Sequence, residues 1–310
     1  MSGTNVLRAS GSAARPLATL GLALNGTVLV VALLVAGLLA YALFHHRESG
    51  DGLSEGGEPP ALRWIAIGAL LTTAILSAGF VYTLHVLDGY ARVLRQPGMT
   101  VRVTGYRYWW KVEYLRPEGD VDFVTANEIH IPVGTPVHLL LPSGDVIHSF
   151  WVPALGGKTD MIPGQTNTMW LEADSAGRYR GQCAEFCGVE HANMRILVVA
   201  QPEAAFRRWE ARQRLPVADT SAAAMALLGV HGCAGCHRLR GTSADGTVGP
   251  DLTHLAGRET LAAGAAPNTA TALTRWLSDP DSVKPGSLMP NTGLDPADLA
   301  TLVDYLRRLR

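Results

Sequence analysis

Four cysteines occur in the chain, and all four fall in short motifs built from metal-binding residue types. Cys183-Ala-Glu-Phe-Cys187 is followed by His191 and Met194, with His148 well upstream. Cys233-Ala-Gly-Cys236 runs directly into His237, and Met289-Pro290 lies further along the chain. No cysteine is left over for a separate structural disulfide. The first set reads as a copper site and the second as a covalently attached haem, two one-electron carriers in one polypeptide.

Cys187, His191, Met194 and His148 alone would make a single-copper site of one thiolate, two imidazoles and a weak thioether. Cys183 adds a second thiolate, which is one donor too many for that geometry. Two coppers could share both sulfurs as bridges, each capped by one histidine. Met194 would then be a weak further ligand to one copper, and a main-chain carbonyl of the cysteine loop could serve the other. Three other readings stand beside this one. They are a plain Cys183–Cys187 disulfide, a zinc site with little use for Met194, and a copper carrier of thioredoxin-like fold, which the strand-rich surroundings oppose.

In the second motif, Cys233 and Cys236 supply thiols for thioether bonds to haem vinyl groups, and His237 supplies an imidazole to the iron. A thioredoxin motif would need a βαβ context and leaves His237 unexplained. Met289, in Ser287-Leu-Met-Pro, is the source of the soft second axial ligand, and Met/His ligation raises the iron potential, as suits a donor. Met225 is expected to pack in a core.

These sites need elements to hold them. The 310 residues give room for two or three domains. A net charge of −1, with no basic block, gives no reason to expect nucleic acid. Pro16 to His46 contains no Asp, Glu, Lys or Arg, and neither does Trp64 to Leu87. At about 1.5 Å per helical residue each run can cross a hydrocarbon layer of about 30 Å. The expected order is an N-terminal tail (1–17), a transmembrane helix (18–46), a cytoplasmic loop (47–61) and a second transmembrane helix (62–88). For the first run the alternative is a cleaved signal peptide, with Arg8 and Arg15 as its basic start and Ala40-Tyr-Ala42 as its cleavage site, although the apolar stretch is long for one. Flanking basic residues do not orient the hairpin. Haem attachment, which takes place outside the bacterial cytoplasm, puts the bulk of the chain on the periplasmic side of a bacterial inner membrane.

Residues 97–202 read as short alternating strands separated by Pro-Gly turns, a β-sandwich or barrel. His148 is expected just after a strand, and Cys183 to Met194 on the loop before the last one. Residues 203–219 form a linker that includes a short amphipathic helix over 203–214. Residues 220–310 read as helical, with Ala222 to Val230 leading into the haem motif. A closing helix runs from Pro296 to Arg310, capped by Asp295.

His148-Ser-Phe-Trp-Val-Pro-Ala-Leu-Gly-Gly-Lys158 and Gly181-Gln-Cys-Ala-Glu-Phe-Cys-Gly-Val-Glu-His-Ala-Asn-Met194, with the hairpin, resemble subunit II of the haem-copper cytochrome c oxidases over residues 18 to 205. The resemblance implies a cupredoxin fold and a binuclear copper A centre. Its ligands by position are His148, Cys183, Cys187, His191, Met194 and the main-chain carbonyl of Glu185. It also implies that the Glu185 side chain reaches a magnesium ion at the boundary with subunit I. Quinol-oxidising relatives lack these ligands, so cytochrome c is the implied donor. Family members carry Gly-x-x-Trp-x-Trp, whose first Trp is the surface point where electrons enter. Here the segment is Gly105-Tyr-Arg-Tyr108-Trp109-Trp110, which makes Tyr108 and Trp109 the candidates and leaves Trp110 explicable as a buried strand aromatic. Glu58 is the nearest candidate for the family's proton-uptake glutamate, and reads more readily as a solvated loop residue.

Residues 220–310 are similar to class I cytochrome c, in which the Pro250 carbonyl would accept the His237 ring proton. The whole resembles subunit II of a caa-type oxidase: a multi-domain membrane protein with a two-helix transmembrane hairpin, an all-β cupredoxin-like domain and an all-α class I cytochrome c domain. Implied partners are subunit I, other oxidase subunits, cytochrome c or a similar donor, and membrane lipid. Two rivals remain: the electron-accepting subunit of a copper A-dependent nitric oxide reductase, and a membrane-anchored electron shuttle or copper carrier. His231 and His254 are expected at the surface. His45, His46, His85, His130 and His138 are expected in structural or solvated roles, and Trp276 in core packing.

Overall fold

The computed structural model describes residues 8–45, 60–93 and 98–310, in two compact units: Pro16–Arg92, and Met1–Arg15 together with Val93–Arg310. The expected proton-uptake candidate Glu58 and the loop around it lie outside the described residues.

The first unit is two helices, α1 (Arg15–Phe44) and α2 (Pro60–Val93). Both are long and apolar enough to cross a membrane. Their few polar side chains turn back on their own helix: Asn25 Nδ2 donates to Gly21 O, Thr27 Oγ1 to Ala23 O and Thr83 Oγ1 to Gly79 O. Such i−4 bonds satisfy hydroxyl and amide groups where lipid offers no partner. The Tyr82 hydroxyl donates to Pro16 O at 3.4 Å and ties the two helices together.

The second unit opens with a β-sandwich of two five-stranded sheets. Its strands are β1 (Met99–Tyr106), β2 (Trp109–Leu115), β3 (Val121–Ala126), β4 (Glu128–Pro132), β5 (Val137–Pro142), β6 (His148–Trp151), β7 (Thr159–Met161), β8 (Thr166–Leu171), β9 (Gly177–Cys183) and β10 (Arg195–Gln201). One sheet has the order β3-β2-β1-β5-β8, the other β4-β10-β9-β6-β7. Alternation selects the inner faces: in β5, Val137, Leu139 and Leu141 are buried while the residues between them are half-buried. These side chains meet Trp110, Phe123, Ile129, Ile131 and Phe150 in one core.

Helix α3 (Glu203–Gln213) falls where a linker was expected, yet Phe206 and Trp209 belong to the sandwich core. Trp209 stacks on His130 with ring centroids 4.1 Å apart. The amphipathic pattern in 203–214 is therefore an apolar face seated on the sandwich.

The remaining residues are mainly helical: α4 (Ala222–Val230), α5 (Cys233–Cys236), α6 (Ala270–Ser278), α7 (Pro280–Val283) and α8 (Pro296–Leu306). Asp295 caps α8 by accepting from the Ala297 and Asp298 amides, and the helix ends at Leu306, short of the expected Arg310. The last residues turn back so that Leu309 O accepts from Ala256 N. Leu228, Leu273, Leu277, Leu302 and Leu306 form a second core. His254 departs from expectation. It is 4% exposed, and its Nε2 lies 3.1 Å from Leu215 O, because the turn after Pro250 folds against the segment leaving α3. His231 is half-buried and pairs with Asp298 at 3.0 Å.

Candidate metal and haem sites

Strand pairing brings the first donor set together. β6 lies beside β9, with Phe150 opposite Cys183, so His148 at the start of β6 faces the end of β9. His148 is thus the first residue of a strand, not a residue following one. The loop from Cys183 to Met194 joins two adjacent antiparallel strands, β9 and β10. It is closed by Cys183 N donating to Met194 O and held by Ala184 N donating to Ser149 O, each at 2.9 Å.

The donor atoms of His148, Cys183 and Cys187 lie within 4.8 Å of one another. The two sulfurs are 3.9 Å apart, far beyond the roughly 2.05 Å of a disulfide, and both thiols are free. The Nδ1 of His148 is 3.8 Å from the Cys183 sulfur, and the Nδ1 of His191 is 3.7 Å from the Cys187 sulfur. Met194 Sδ is 3.8 Å from Cys187, and Glu185 O is 3.2 Å from Cys183. A 3.9 Å sulfur separation fits inside two metal–sulfur bonds of about 2.3 Å each, so a metal can touch both. Imidazoles approach from either end, one per sulfur. This donor set suits soft, thiolate-bridged copper. The two thiols act on each other: the contact with Cys187 holds Cys183 below the ordinary thiol range, while Cys183 pushes Cys187 up.

Asp145 was not singled out from the sequence, although it precedes His148 by three residues. Its Oδ1 accepts from His148 Nε2 at 2.8 Å, which fixes the tautomer and leaves Nδ1 for a metal. Burial works against the Asp145 charge, but the Arg107 and Val146 amides and His148 hold its carboxyl below the usual range. Gly105 makes room for the same ring. A Cβ there would lie 2.8 Å from His148 Cδ2. Asp145→Ala is expected to weaken copper binding by about 10–100-fold, as measured by competition with a chelator. Unchanged affinity would exclude the orienting role.

The second donor set lies around an apolar cavity lined by Cys233, Cys236, His237, Pro250 and Met289. His237 Nδ1 donates to Pro250 O at 2.7 Å, so Nε2 is the free ring nitrogen. Gly249 allows the ring this close, since a Cβ there would stand 2.6 Å from His237 Cε1. Arg258 also lines the cavity. Its guanidinium is buried, and Nε has no hydrogen-bond partner. An apolar cavity with two thiols, one free imidazole nitrogen, a thioether and an under-satisfied cation fits a porphyrin that carries carboxylates. Trp276 packs on the second core and lines the same cavity.

Of the aromatic candidates, Tyr108 touches both surroundings. Tyr108 is 9% exposed and Trp109 half-buried, and both line the cavity. The Tyr108 phenol packs on Gly188, the residue after Cys187. Trp110 is fully buried, 5.9 Å from Phe150 and 6.2 Å from His148 between ring centroids. The Glu185 side chain is exposed.

The helical domain is joined to the sandwich by polar contacts that no motif announces. Glu128 Oε1 accepts from the Glu259 and Thr260 amides at 2.8 and 3.0 Å and lies 3.2 Å from the Thr260 hydroxyl. Arg178 pairs with Glu259 at 2.5 Å. Burial pushes the Glu128 carboxyl from 4.5 up to about 7 against the opposing pull of the Thr260 amide and Arg258. Other charges around it are Glu259 and, at 4.0 Å, His130. The folded state therefore holds this proton more tightly than the unfolded one. The resulting stabilisation is complete below about pH 4.5 and is lost as pH rises through about 7. The wild type minus Glu128→Gln difference in unfolding midpoint should therefore shrink between pH 5 and pH 8. A difference independent of pH would contradict this account.

A family model described as cytochrome c oxidase subunit II, periplasmic domain, matches residues 112–201, and one for cytochrome c matches residues 221–310. A cytochrome c oxidase subunit 2 from Alkalihalophilus pseudofirmus is 38% identical over 215 residues, 68% of this chain and 61% of that protein. One from Bacillus sp. (strain PS3) is 30% identical over 274 residues, 83% of this chain and 76% of that protein. Among solved structures, the periplasmic domain of subunit II of cytochrome oxidase (CoxB) of Bradyrhizobium japonicum matches 38% of this chain and 95% of its own at 29% identity, with a TM-score of 0.36.

Proposed function

The chain belongs to the cytochrome c oxidase subunit II family, and from that premise we propose that it is the electron-accepting subunit of a caa-type haem-copper oxidase. It would take electrons from cytochrome c or a similar donor and pass them toward subunit I, where oxygen is reduced. The observation that carries this reading is the placing of Tyr108. Its phenol packs on Gly188, the residue after Cys187, while the residue lines the cavity that holds Cys233, Cys236, His237 and Met289.

When bound, a covalent haem c and a binuclear copper A centre supply the two one-electron carriers. The chain's own residues hold and orient them. Cys233 and Cys236 would anchor the porphyrin, and His237 and Met289 would hold its iron. The Pro250 carbonyl sets the His237 ring. Cys183, Cys187, His148, His191, Met194 and the Glu185 carbonyl would hold the coppers. These six donors already converge in the folded chain, so little must move when the charge changes. Burial of both cysteines, His148 and Met194 keeps water from the cluster. The exposed Glu185 carboxylate is free to reach a magnesium ion shared with subunit I.

The two long apolar helices anchor the protein in the membrane. We place the copper and haem domains on the periplasmic side of a bacterial inner membrane. Residues before the first span support this topology. Ser10 N donates to Ala154 O at 2.7 Å, Asp174 N donates to Ser10 O at 2.9 Å, and Arg15 pairs with Asp174 at 2.5 Å. A segment that precedes the spans and packs on the domain that follows them requires an even number of crossings. Cleavage near Ala42 would remove that docked segment, which supports the reading of the first run as a span.

The test is purification of the complex, followed by metal and haem analysis, electron paramagnetic resonance and gas consumption. Two coppers sharing one unpaired electron, one covalent haem, and oxygen uptake with reduced cytochrome c are expected. Nitric oxide uptake without oxygen uptake, or one copper per chain, would overturn the proposal.

A further inference from the structure

Lys284 lies five residues before Met289, between α7 and the loop that reaches the haem cavity. Lysine is rarely buried, because its ammonium is a compact, strongly hydrated charge. Here it is 3% exposed. Its Nζ donates to Tyr108 O at 2.7 Å, Asn193 O at 3.0 Å and Ala262 O at 3.2 Å. An ammonium has three donors, and all three are used.

The acceptors belong to three different segments. Asn193 immediately precedes Met194 and closes the short turn that begins at His191. Tyr108 belongs to the aromatic turn whose phenol touches the copper loop. Ala262 belongs to the haem domain itself. The opposite charge that acts on it most is Glu190, whose Oε2 accepts from the Asn193 side chain at 2.8 Å. Adjacent contacts run the same way. Gly286 packs on Val189, and Arg195, next to Met194, donates to Gly264 O at 3.4 Å. Glu128 grips the haem domain at a second point through the Glu259 and Thr260 amides. A buried charge with all its donors used holds a fixed geometry, because any shift leaves the ammonium or its carbonyls unpaired in a low-dielectric setting.

We propose that Lys284 is a positioning residue for electron transfer: its ammonium ties the segment ending at Met289 to the turn ending at Met194, so that the two ligand-bearing loops are held as one piece. This rests on the reading of the two sites as haem c and copper A. Without the tie, the haem domain stays tethered through residues 214–219 but occupies the docked position only part of the time. The observed transfer rate then scales with that fraction.

The experiment uses the whole purified complex with both centres loaded. Lys284→Met keeps the length of the side chain and removes its donors. Copper and haem contents and the copper resonance signal should match the wild type. After flash reduction of the haem, copper reduction should slow by about tenfold, consistent with loss of hydrogen bonds to a charged group, and should become sensitive to solvent viscosity. Pulsed resonance between ferric haem and oxidised copper should give one narrow distance in the wild type and a broad distribution in the variant. An unchanged rate with a narrow distribution in the folded, loaded variant would overturn the proposal. So would a broad distribution in the wild type, which needs no variant at all. Absence of any haem-to-copper transfer in the wild type would instead overturn the underlying functional reading.

Discussion

Cys187→Ser is expected to abolish the binuclear copper centre while leaving the haem in place. The Cys187 sulfur meets three of the other donors: it lies 3.9 Å from the Cys183 sulfur, 3.7 Å from His191 Nδ1 and 3.8 Å from Met194 Sδ. A serine hydroxyl is hard and stays protonated, so it cannot bridge two soft metals. Loss of a residue that only orients a ligand costs about 10–100-fold in metal affinity, and loss of a bridging ligand should cost more. Metal analysis should find at most one copper per chain, and the signal of one electron shared over two coppers should vanish. Haem content should be unaffected, because Cys233, Cys236 and His237 line a separate cavity. Two coppers per chain with the shared-electron signal intact would remove the basis of the assignment.

Removal of residues 216–310 is expected to leave the copper site assembled and to slow its reduction by an external donor by about 100-fold. The estimate compares a mM effective concentration for a short tether with a donor supplied at about 10 μM. The cut must keep α3, because Phe206 and Trp209 are part of the sandwich core. A truncation before Glu203 would expose that core and confound the result. Truncation at 216 uncovers the Tyr108 and Asn193 carbonyls and the Glu128 carboxylate, which the helical domain otherwise engages. Copper resonance should persist, and reduction should become first order in added donor. Unchanged turnover with the same donor would mean that the haem domain is not the route to the copper.

Both predictions use residues that could be read from the chain as written. Cys183, Cys187, His191 and Met194 lie within twelve consecutive positions, and Cys233, Cys236 and His237 within five. Spacing so short leaves a loop few ways to point its donors apart, so the residue types alone indicated copper and haem. The apolar runs of α1 and α2 were equally plain, because crossing a bilayer demands an uninterrupted stretch. Alternation and turn residues indicated a β-sandwich, and the Asp295-Pro296 pair marked the start of the last helix.

Other features depended on how distant segments meet. Lys284 is one of 26 basic residues and Glu128 one of 27 acidic ones, and nothing local distinguishes them from solvated neighbours. Their burial follows from where Asn193, Tyr108, Glu259 and Thr260 lie after folding. His254 is buried because the chain leaving α3 covers it. The amphipathic stretch 203–214 looked like a linker because its partner face, on His130, Tyr114 and Phe123, is assembled from strands far away in sequence. Asp145 shows the boundary between the two kinds of information. Its spacing from His148 was visible, but its role required β6 to be paired with β9. Ligand identity is a property of side-chain chemistry and can be read in one dimension. Orientation, burial and docking arise from which backbone groups become neighbours, and that is decided only when the chain closes on itself.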